Sequence, residues 1–341
     1  MRALIPVSLL LGVAACAEAP PALPPLPPVN VSILATIGDS ASTIEGIAAS
    51  GGMLYVCDWK DGTIYRVDPA NPTPVAVGGL PVPAGTTILG ITTDTEGNLY
   101  LAAPESGTIY RVAANRLGAA NFNRKRDATV FATGATGANA MAFDQAARHL
   151  WITGGPTGNL YHVGPTGGSV MTAASEYAVA GTDTTVPVRI YVTNGIAIDQ
   201  NGVIFTANTG TGEISSITIG AGYQPRAIKT AVRDPRLVGA DGLHFDGQGN
   251  LWITANFRNT LARVGPDGTL VIVASSTPSG TYADSTMIAA YPQAGPGNGL
   301  RFPAEFTQLG DTMYVANLNF PIGANSGQPV PGATIAAVTL P

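Results

Sequence analysis

Five residues with side-chain oxygens recur along the chain, each beside a glycine or alanine and a short apolar run. They are Glu45, Asn139, Asn194, Asp241 and Asn298. Carboxylate and amide oxygens are the ligands that Ca²⁺ and other hard divalent cations prefer. Brought together, they would form a cation site able to polarise a carbonyl or phosphoryl oxygen of a substrate. The alternative interpretation is that each residue caps a tight turn.

A repeated unit carries these residues. Each copy contains a short apolar strand, a second strand such as Leu-Tyr-Val or Leu-Trp-Ile, and a third strand, which reads Gly-Thr-Ile-Tyr-Arg-Val at both 62–67 and 107–112. The copies begin near residues 45, 90, 139, 194, 241 and 298. Units of this length that are rich in strands and turns predict an all-β fold, a six-bladed β-propeller with four-stranded blades.

Composition agrees with many short strands and tight turns, because only 11% of residues are charged while there are 42 Gly and 27 Pro. Segments 129–133 and 269–274 are expected as fourth, outer strands. The sixth copy lacks a fourth strand of its own. Segment 30–37, which belongs to none of the six copies, can supply that strand. We therefore predict that an N-terminal strand completes the last blade and closes the ring.

The propeller fold explains how distant residues could form one site. The first strand of each blade lines a central tunnel, so the starts of the copies would meet at its mouth, where copy two offers only Gly90. Second-strand ends add further candidates for the mouth or for substrate contact: Asp58, Trp59, Glu105, Asn208, Asn256, Arg258, Asn317 and Asn319. The long segments 180–192 and 275–297 are expected to form a lid there.

The sequence resembles the senescence marker protein 30/gluconolactonase family and its relatives, the diisopropyl fluorophosphatases and paraoxonases. The resemblance rests on Asn-Gly-Ile-Ala at 194–197, Gly-Ala-Asp-Gly-Leu at 239–243 and Leu-Trp-Ile-Thr at 150–153 and 251–254. It implies a divalent cation, with Ca²⁺ expected, held by Glu45, Asn139, Asn194 and Asp241. It also implies hydrolysis of a small-molecule lactone or ester, or of a phosphotriester in some relatives.

Several roles stay open at this point. Asp241 can be a ligand, a general base or a nucleophile. We favour His244 as a hydrogen-bonded tunnel residue over a catalytic one, and the presence of His244 and Arg301 argues against a second, deeper cation. The alternative function is a non-enzymatic propeller that binds a ligand or a protein.

The first residues are typical of an exported lipoprotein. Arg2 precedes an apolar stretch at 3–13, too short to span a bilayer, and Val-Ala-Ala-Cys at 13–16 resembles a lipobox. We predict a signal peptide at 1–15, lipidation of Cys16, a Pro-rich tether at 16–29 and the propeller at 30–341. The alternative is an ordinary signal peptide with Cys16 incidental.

These features predict a monomer anchored to a membrane through Cys16 and facing the periplasm, on the outer membrane if the cell is Gram-negative. The net charge of −5 and the absence of a long basic tract argue against nucleic-acid binding. Cys57 lies in an apolar run and is expected to be a buried packing residue.

Overall fold

The computed structural model describes residues 30–144, 148–275, 299–320 and 332–340, and it is almost entirely β-structure. The strands form six small sheets, one for each copy of the repeat. The predicted six-bladed β-propeller is confirmed. Within these ranges no helix is long and apolar enough to cross a membrane. The predicted signal peptide, Cys16 and the Pro-rich tether lie outside the described residues.

Strand β1 spans Asn30–Thr36 and belongs to the last blade. Blade one contains β2 (Ile47–Ser50), β3 (Met53–Cys57), β4 (Thr63–Asp68) and β5 (Asn71–Gly79). Blade two contains β6 (Ile91–Thr93), β7 (Leu99–Ala103), β8 (Thr108–Val112) and β9 (Ala128–Thr133). Blade three contains β10 (Met141–Asp144), β11 (His149–Thr153), β12 (Leu160–Val163) and β14 (Met171–Ala174), while β13 (Gly168–Ser169) pairs with β9.

Blade four contains β15 (Ile196–Ile198), β16 (Ile204–Asn208), β17 (Glu213–Ile219) and β18 (Pro225–Arg233). Blade five contains β19 (Ala240–Phe245), β20 (Leu251–Ala255), β21 (Thr260–Val264) and β22 (Leu270–Ser275). Blade six contains β23 (Pro303–Leu309), β24 (Thr312–Asn317), β25 (Thr334–Thr339) and β1. The described helices are short: α1 (Arg124–Asp127) and the 3₁₀ turns Ala114–Arg116, Pro187–Ile190, Ala221–Tyr223, Pro235–Leu237 and Asn256–Arg258.

An N-terminal strand closes the ring, as predicted. β1 pairs antiparallel with β25, from Asn30 opposite Thr339 to Thr36 opposite Thr334. The last blade is therefore built from both ends of the propeller, and its inner three strands have an outer partner. An unpaired β25 edge would expose a row of backbone hydrogen-bonding groups.

In blades two, four and five an aspartate fixes the turn between the first and second strands, at the end of the blade opposite the site described below. Asp246 Oδ1 accepts hydrogen bonds from the backbone N–H groups of Gln248 and Asn250, both at 2.9 Å. Its Oδ2 accepts from Asn250 Nδ2 at 2.8 Å and from the Trp252 indole N–H at 2.9 Å. Each turn therefore sets the register of the two strands that follow it.

The hydrophobic core lies between neighbouring blades. Strands β7 and β20 are buried along their full lengths because each is covered on both faces. One cluster joins Ile64 of blade one to Leu101 of blade two, and another joins Ala207 of blade four to Ile253 of blade five. This packing holds the inner strands in a fixed ring. Cys57 is buried in the core, as expected.

Candidate functional site

At four of the six junctions between blades, the inner strands approach so closely that only glycine fits between them. A Cβ atom on Gly195 would overlap the backbone carbonyl oxygen of Asp241 in the next blade, and one on Gly46 would overlap that of Leu89. A Cβ on Gly242 would lie 2.7 Å from the carbonyl oxygen of Ala304. The glycines that follow the predicted ligands therefore bring the starts of the inner strands together around the axis.

The same contacts align the six blades with one another. Gly90 N–H donates to the carbonyl of Asn139 at 2.7 Å, and Glu305 N–H donates to the carbonyl of Glu45 at 3.3 Å. The aligned positions, taken from blade one to blade six, are Glu45, Leu89, Asn139, Asn194, Asp241 and Ala304. The structure therefore places the four predicted cation ligands at equivalent positions, with an apolar residue in the other two blades.

Two of the predicted blade starts are corrected. Leu89, and not Gly90, occupies the mouth position of blade two. The inner strand of blade six begins at Pro303, so Asn298, expected as a mouth residue, precedes that strand and lies outside the described residues. The neighbouring Gly299 packs against Ser32 and Ile33 of β1, away from the axis. Asn-Gly-Leu at 298–300 has the same sequence pattern as an inner-strand start, but Gly299 allows close contact with β1 and not with a neighbouring inner strand.

Three buried oxygens of this ring have no hydrogen-bond partner among the described residues. They are Oε2 of Glu45, Oδ1 of Asn139 and Oδ1 of Asn194. Their residues are at most 5% exposed, so bulk solvent has little access to these oxygens. Buried polar atoms are almost always paired, and a cation is one partner that three unpaired oxygens in one ring would fit.

Hydrogen bonds behind the ring fix the orientation of the two best-held ligands. Asn194 Nδ2 donates to Thr209 Oγ1 at 2.9 Å, and the Thr209 hydroxyl donates to the carbonyl of Ala240 at 2.8 Å. Asn256 Nδ2 donates to Oδ2 of Asp241 at 2.8 Å. The amide of Asn194 is thereby oriented with its oxygen unpaired, and one oxygen of Asp241 is anchored.

The carboxyl groups at the mouth lie in an environment that disfavours negative charge. Burial raises the pKa of Glu45 well above its usual value, and the charges of Asp241 and Glu305 raise it further. Burial also raises the pKa of Asp241 to about 7, although the hydrogen bond from Asn256 opposes the shift. These acids therefore bind protons more tightly than exposed carboxyl groups do, and a cation bound beside them would compete with those protons.

Glu305 is the site residue that the sequence analysis missed. It occupies the position at which other blades carry Gly46, Gly195 and Gly242, and it lines the central cavity of about 300 Å³. Burial raises the pKa of Glu305 to about 8, with a further contribution from the charge of Asp241. The β23–β24 hairpin is the signal that could have found it. Counting back from the sequence of β24 across a tight turn places the inner strand of blade six over Glu305.

The segment at 180–192 reaches the mouth, as expected for a lid. Tyr191 is half-buried, and its pKa is raised by burial and by the charges of Glu45 and Asp241. Val186 packs in one cluster with Phe257 and Phe302 of blades five and six. The second expected lid segment lies outside the described residues, apart from Ser275.

Most of the polar side chains expected to contact substrate are engaged in holding loops. Asp58 accepts hydrogen bonds from the Ser42 hydroxyl at 2.5 Å and from two backbone N–H groups. Asn208 and Asn317 each bind backbone groups through both the oxygen and the nitrogen of their amides. Glu105 is exposed. The side chains of Asp58, Asn208 and Asn317 therefore stabilise loops. Among the candidates at second-strand ends, Asn256 is the one that donates a hydrogen bond to a ring carboxylate.

Arg258 and the histidines do not occupy any of the six aligned ring positions. Arg258 is half-buried, has interaction partners, and lies where its charge acts on Asp183 and Asp234. His149 and His162 face each other with their Nδ1 atoms 3.3 Å apart in blade three. His244 lines the central cavity.

Burial lowers the pKa of His244, and its ring packs edge-on against Phe306 at 5.9 Å. Among the described residues, no three His, Cys, Asp or Glu side chains cluster in a metal-binding arrangement. A cation at the mouth would therefore depend on amide oxygens as well as on the carboxylates, which the unpaired Asn139 and Asn194 oxygens fit.

Comparison with known proteins agrees with this geometry. A model of the SMP-30/gluconolactonase/LRE-like region matches residues 45–281. The chain belongs to this family. The match begins at Glu45, the first residue of the ring, and includes Asn139, Asn194 and Asp241. No protein matches in a search of curated sequences.

Solved structures with the same fold include relatives of this SMP-30/gluconolactonase-like chain. A gluconolactonase from Xanthomonas campestris is 16% identical, with 96% of this chain and 99% of that chain covered and a TM-score of 0.59. Regucalcin, a calcium-binding protein from Agrobacterium tumefaciens, is 14% identical, with coverages of 94% and 98% and a TM-score of 0.60. A luciferin-regenerating enzyme is 15% identical, with coverages of 91% and 95% and a TM-score of 0.64. Identities this low show a shared fold and leave the activity to be argued from the site.

Proposed function

We propose that this propeller is a metal-dependent hydrolase of a small lactone or ester. Glu45 Oε2, Asn139 Oδ1, Asn194 Oδ1 and the Asp241 carboxylate would hold a divalent cation, with Ca²⁺ the expected ion because all the donors are hard oxygens. The supporting observation is the set of buried, unpaired oxygens of Glu45, Asn139 and Asn194. Together with the Asp241 carboxylate, they lie on blades one, three, four and five and so surround the axis from several sides.

When bound, the cation supplies Lewis acidity toward the carbonyl oxygen of the substrate. The protein then has to position the reacting groups and handle the proton of the attacking water. Asn256 holds Oδ2 of Asp241 at 2.8 Å, so this carboxylate keeps a fixed orientation. In our proposal Asp241 accepts the proton from water, and the half-buried Tyr191 limits access of bulk solvent.

Cation titration of purified full-length protein tests this proposal. Asp241→Asn and Glu45→Gln should each weaken Ca²⁺ binding at least tenfold and abolish lactone hydrolysis, because each removes a negative charge from the ring. Asn194→Asp should bind Ca²⁺ more nearly like wild type, because it keeps an oxygen in place. Asp311→Asn is the matched control, since this exposed acid lies in the turn before β24.

Calorimetry gives the affinity, circular dichroism checks the fold, and release of acid from δ-valerolactone in a pH-stat gives the activity. The proposal requires that EDTA abolishes hydrolysis and that Ca²⁺ or another divalent cation restores it. A wild-type protein that binds no divalent cation at millimolar concentration would contradict it. The alternative of a non-enzymatic binding propeller would then be favoured.

We also propose that the protein is exported, anchored through a lipid on Cys16 and faces the periplasm as a monomer. The support is the apolar stretch at 3–13 followed by Val-Ala-Ala-Cys at 13–16. Ala17 follows the cysteine, and the absence of Asp at that position favours outer-membrane sorting in a Gram-negative cell.

A further inference from the structure

One arc of the mouth is apolar. A single cluster, here called the mouth arc, joins the 180–192 segment with blades five, six and one. Its members are Trp59, Val186, Val188, Val238, Phe257, Phe302, Ala304, Leu318 and Phe320. The rings of Trp59 and Phe320 meet edge-to-face at 6.3 Å, and those of Phe302 and Phe320 lie 5.5 Å apart. Trp59, Val188, Val238 and Phe320 are only partly buried, so the arc keeps accessible apolar surface.

The mouth arc is continuous with the oxygen ring. Ala304 belongs to both, because it is the blade-six equivalent of Asp241 and also a member of the cluster. Phe257 directly follows Asn256, which donates to Asp241. A group bound at the ring therefore has its neighbouring atoms beside the arc.

Several polar groups beside the arc are already engaged. The Trp59 indole N–H donates to the carbonyl of Ile88 at 2.5 Å, so the ring offers apolar faces and edges to a ligand. Asp58, Asn208 and Asn317 are engaged with loops, as described above. Arg258 also has partners of its own. The Oδ1 atoms of Asn256 and Asn319 have no partner among the described residues, but both are acceptors at the edge of the arc. The hydroxyl groups of a sugar lactone packed on the arc itself would face apolar side chains, which is unfavourable.

Exposed apolar residues extend the arc outward along the same insertion. Val179 is 74% exposed and Ile190 is 48% exposed. Asn208 Nδ2 donates to the Val179 carbonyl at 2.9 Å, which places Val179 beside a second-strand end at the mouth. Exposed apolar side chains therefore lie near the mouth in addition to the arc itself, where a chain or ring substituent of a substrate could contact them.

We propose that the substrate carries an alkyl or aryl substituent that packs on the mouth arc, so that the chain prefers apolar lactones or esters to polyhydroxylated ones. This inference rests on the hydrolase function proposed above. Each substrate methylene that leaves water should raise kcat/KM by roughly fourfold until the arc is filled. Trp59 and Phe320 are the residues that set this preference.

The experiment compares the Ca²⁺-loaded full-length protein on δ-valerolactone, δ-octalactone, δ-decalactone and glucono-δ-lactone. We expect kcat/KM to rise at least tenfold from the first to the third, with gluconolactone below all of them. Phe320→Ala should remove most of that rise, because it deletes one of the rings on which the substituent packs. Phe131→Ala, a half-buried aromatic in outer strand β9, is the matched control and should keep the full rise.

A binding measurement separates failure of this inference from failure of the hydrolase proposal. The non-hydrolysable lactam of δ-decalactone should shift the fluorescence of Trp59, because Trp151 and Trp252 are both only 2% exposed. Trp59→Phe should abolish the shift. Hydrolysis with gluconolactone preferred and no lactam response would overturn the apolar assignment alone. A lactam response without hydrolysis of any lactone or ester would support the apolar assignment and overturn the hydrolase proposal.

Discussion

Asn256 donates its amide N–H to Oδ2 of Asp241 at 2.8 Å, while its own Oδ1 has no partner among the described residues. Asn256 therefore supports a ring carboxylate through its amide nitrogen. Its amide oxygen accepts no hydrogen bond from the described residues. The hydrogen bond favours the charged form of Asp241 and so opposes the effect of burial. Asn256 therefore contributes to keeping Asp241 able to bind a cation near neutral pH.

Asn256→Leu should raise the pKa of Asp241 and weaken cation binding. The change keeps side-chain size but removes the donor, so protonation competes more strongly with Ca²⁺. We expect Ca²⁺ affinity at pH 7 to fall by about tenfold, in line with loss of a hydrogen bond to a charged group. The acidic limb of the kcat/KM profile should move to higher pH. Calorimetry between pH 6 and 9 measures the Ca²⁺ affinity, and the pH-stat assay over the same range measures kcat/KM. An unchanged pH dependence of both would mean that Asn256 contributes only packing.

The cation-free protein should lose stability as pH rises from 7 to 8.5, a range above the titration of the histidines whose pKa burial lowers, His162 and His244. Burial raises the pKa of Asp241 to about 7 and that of Glu305 to about 8, above their ordinary values of 3.8 and 4.5. The folded chain therefore binds more protons than the unfolded chain in this range, and the free energy of unfolding falls as pH increases. The depressed carboxyls, such as Asp127, are ionised in both states above pH 5.5 and do not contribute.

Thermal unfolding in EDTA at the two pH values measures this effect. Glu305→Gln should flatten the dependence because it removes one raised carboxyl, while Asp311→Asn should leave it unchanged. Saturating Ca²⁺ should also reduce the dependence, since the bound cation stabilises the ionised ring. A midpoint that rises with pH in EDTA would show that the mouth carboxyls are ionised without a cation.

Gly195→Ala should destabilise the propeller by about 3 kcal/mol or more, because a Cβ there would overlap the Asp241 carbonyl and the inner strands cannot move apart without opening the ring. Because Asp241 is itself displaced, Ca²⁺ affinity should fall with stability. Gly247→Ala is the matched control, since a Cβ at Gly247 would meet no atom within 4 Å. Chemical denaturation gives the free energy of unfolding of both variants. Equal values for the two would refute the close-packing explanation.

Cys16 should carry a lipid in the mature protein. Mass spectrometry of the mature N-terminus should find an acylated Cys16, and the protein should partition into detergent. Cys16→Ser should remain exported but become water-soluble, while Cys57→Ser, which changes a cysteine buried in the core, is the control that should still partition into detergent. An unmodified N-terminus beyond residue 16 would instead indicate an ordinary signal peptide.

Five of the six blades could be located from the sequence because their second and third strands repeat closely. In blade six the second, third and outer strands could also be located, but the inner strand could not, because Asn-Gly-Leu at 298–300 has the same pattern as an inner-strand start while its glycine packs on β1. Glu305 was missed for the same reason. The roles of Asp58 and Asn317 were also beyond the sequence, because a short polar side chain at a strand end looks the same whether it binds a loop or a substrate.

The closing strand also determines which way the site faces. β1 begins at Asn30, opposite Thr339, at the end of blade six that carries the turn before β24, and it ends at Thr36, opposite Thr334, on the side of the mouth. The preceding residues therefore join the propeller on its underside. A molecule attached to a surface through that segment would have its oxygen ring on the side that faces away from the surface. Substrates arriving from solution would then meet the mouth first, and a substrate dissolved in the supporting membrane would have to leave it to react.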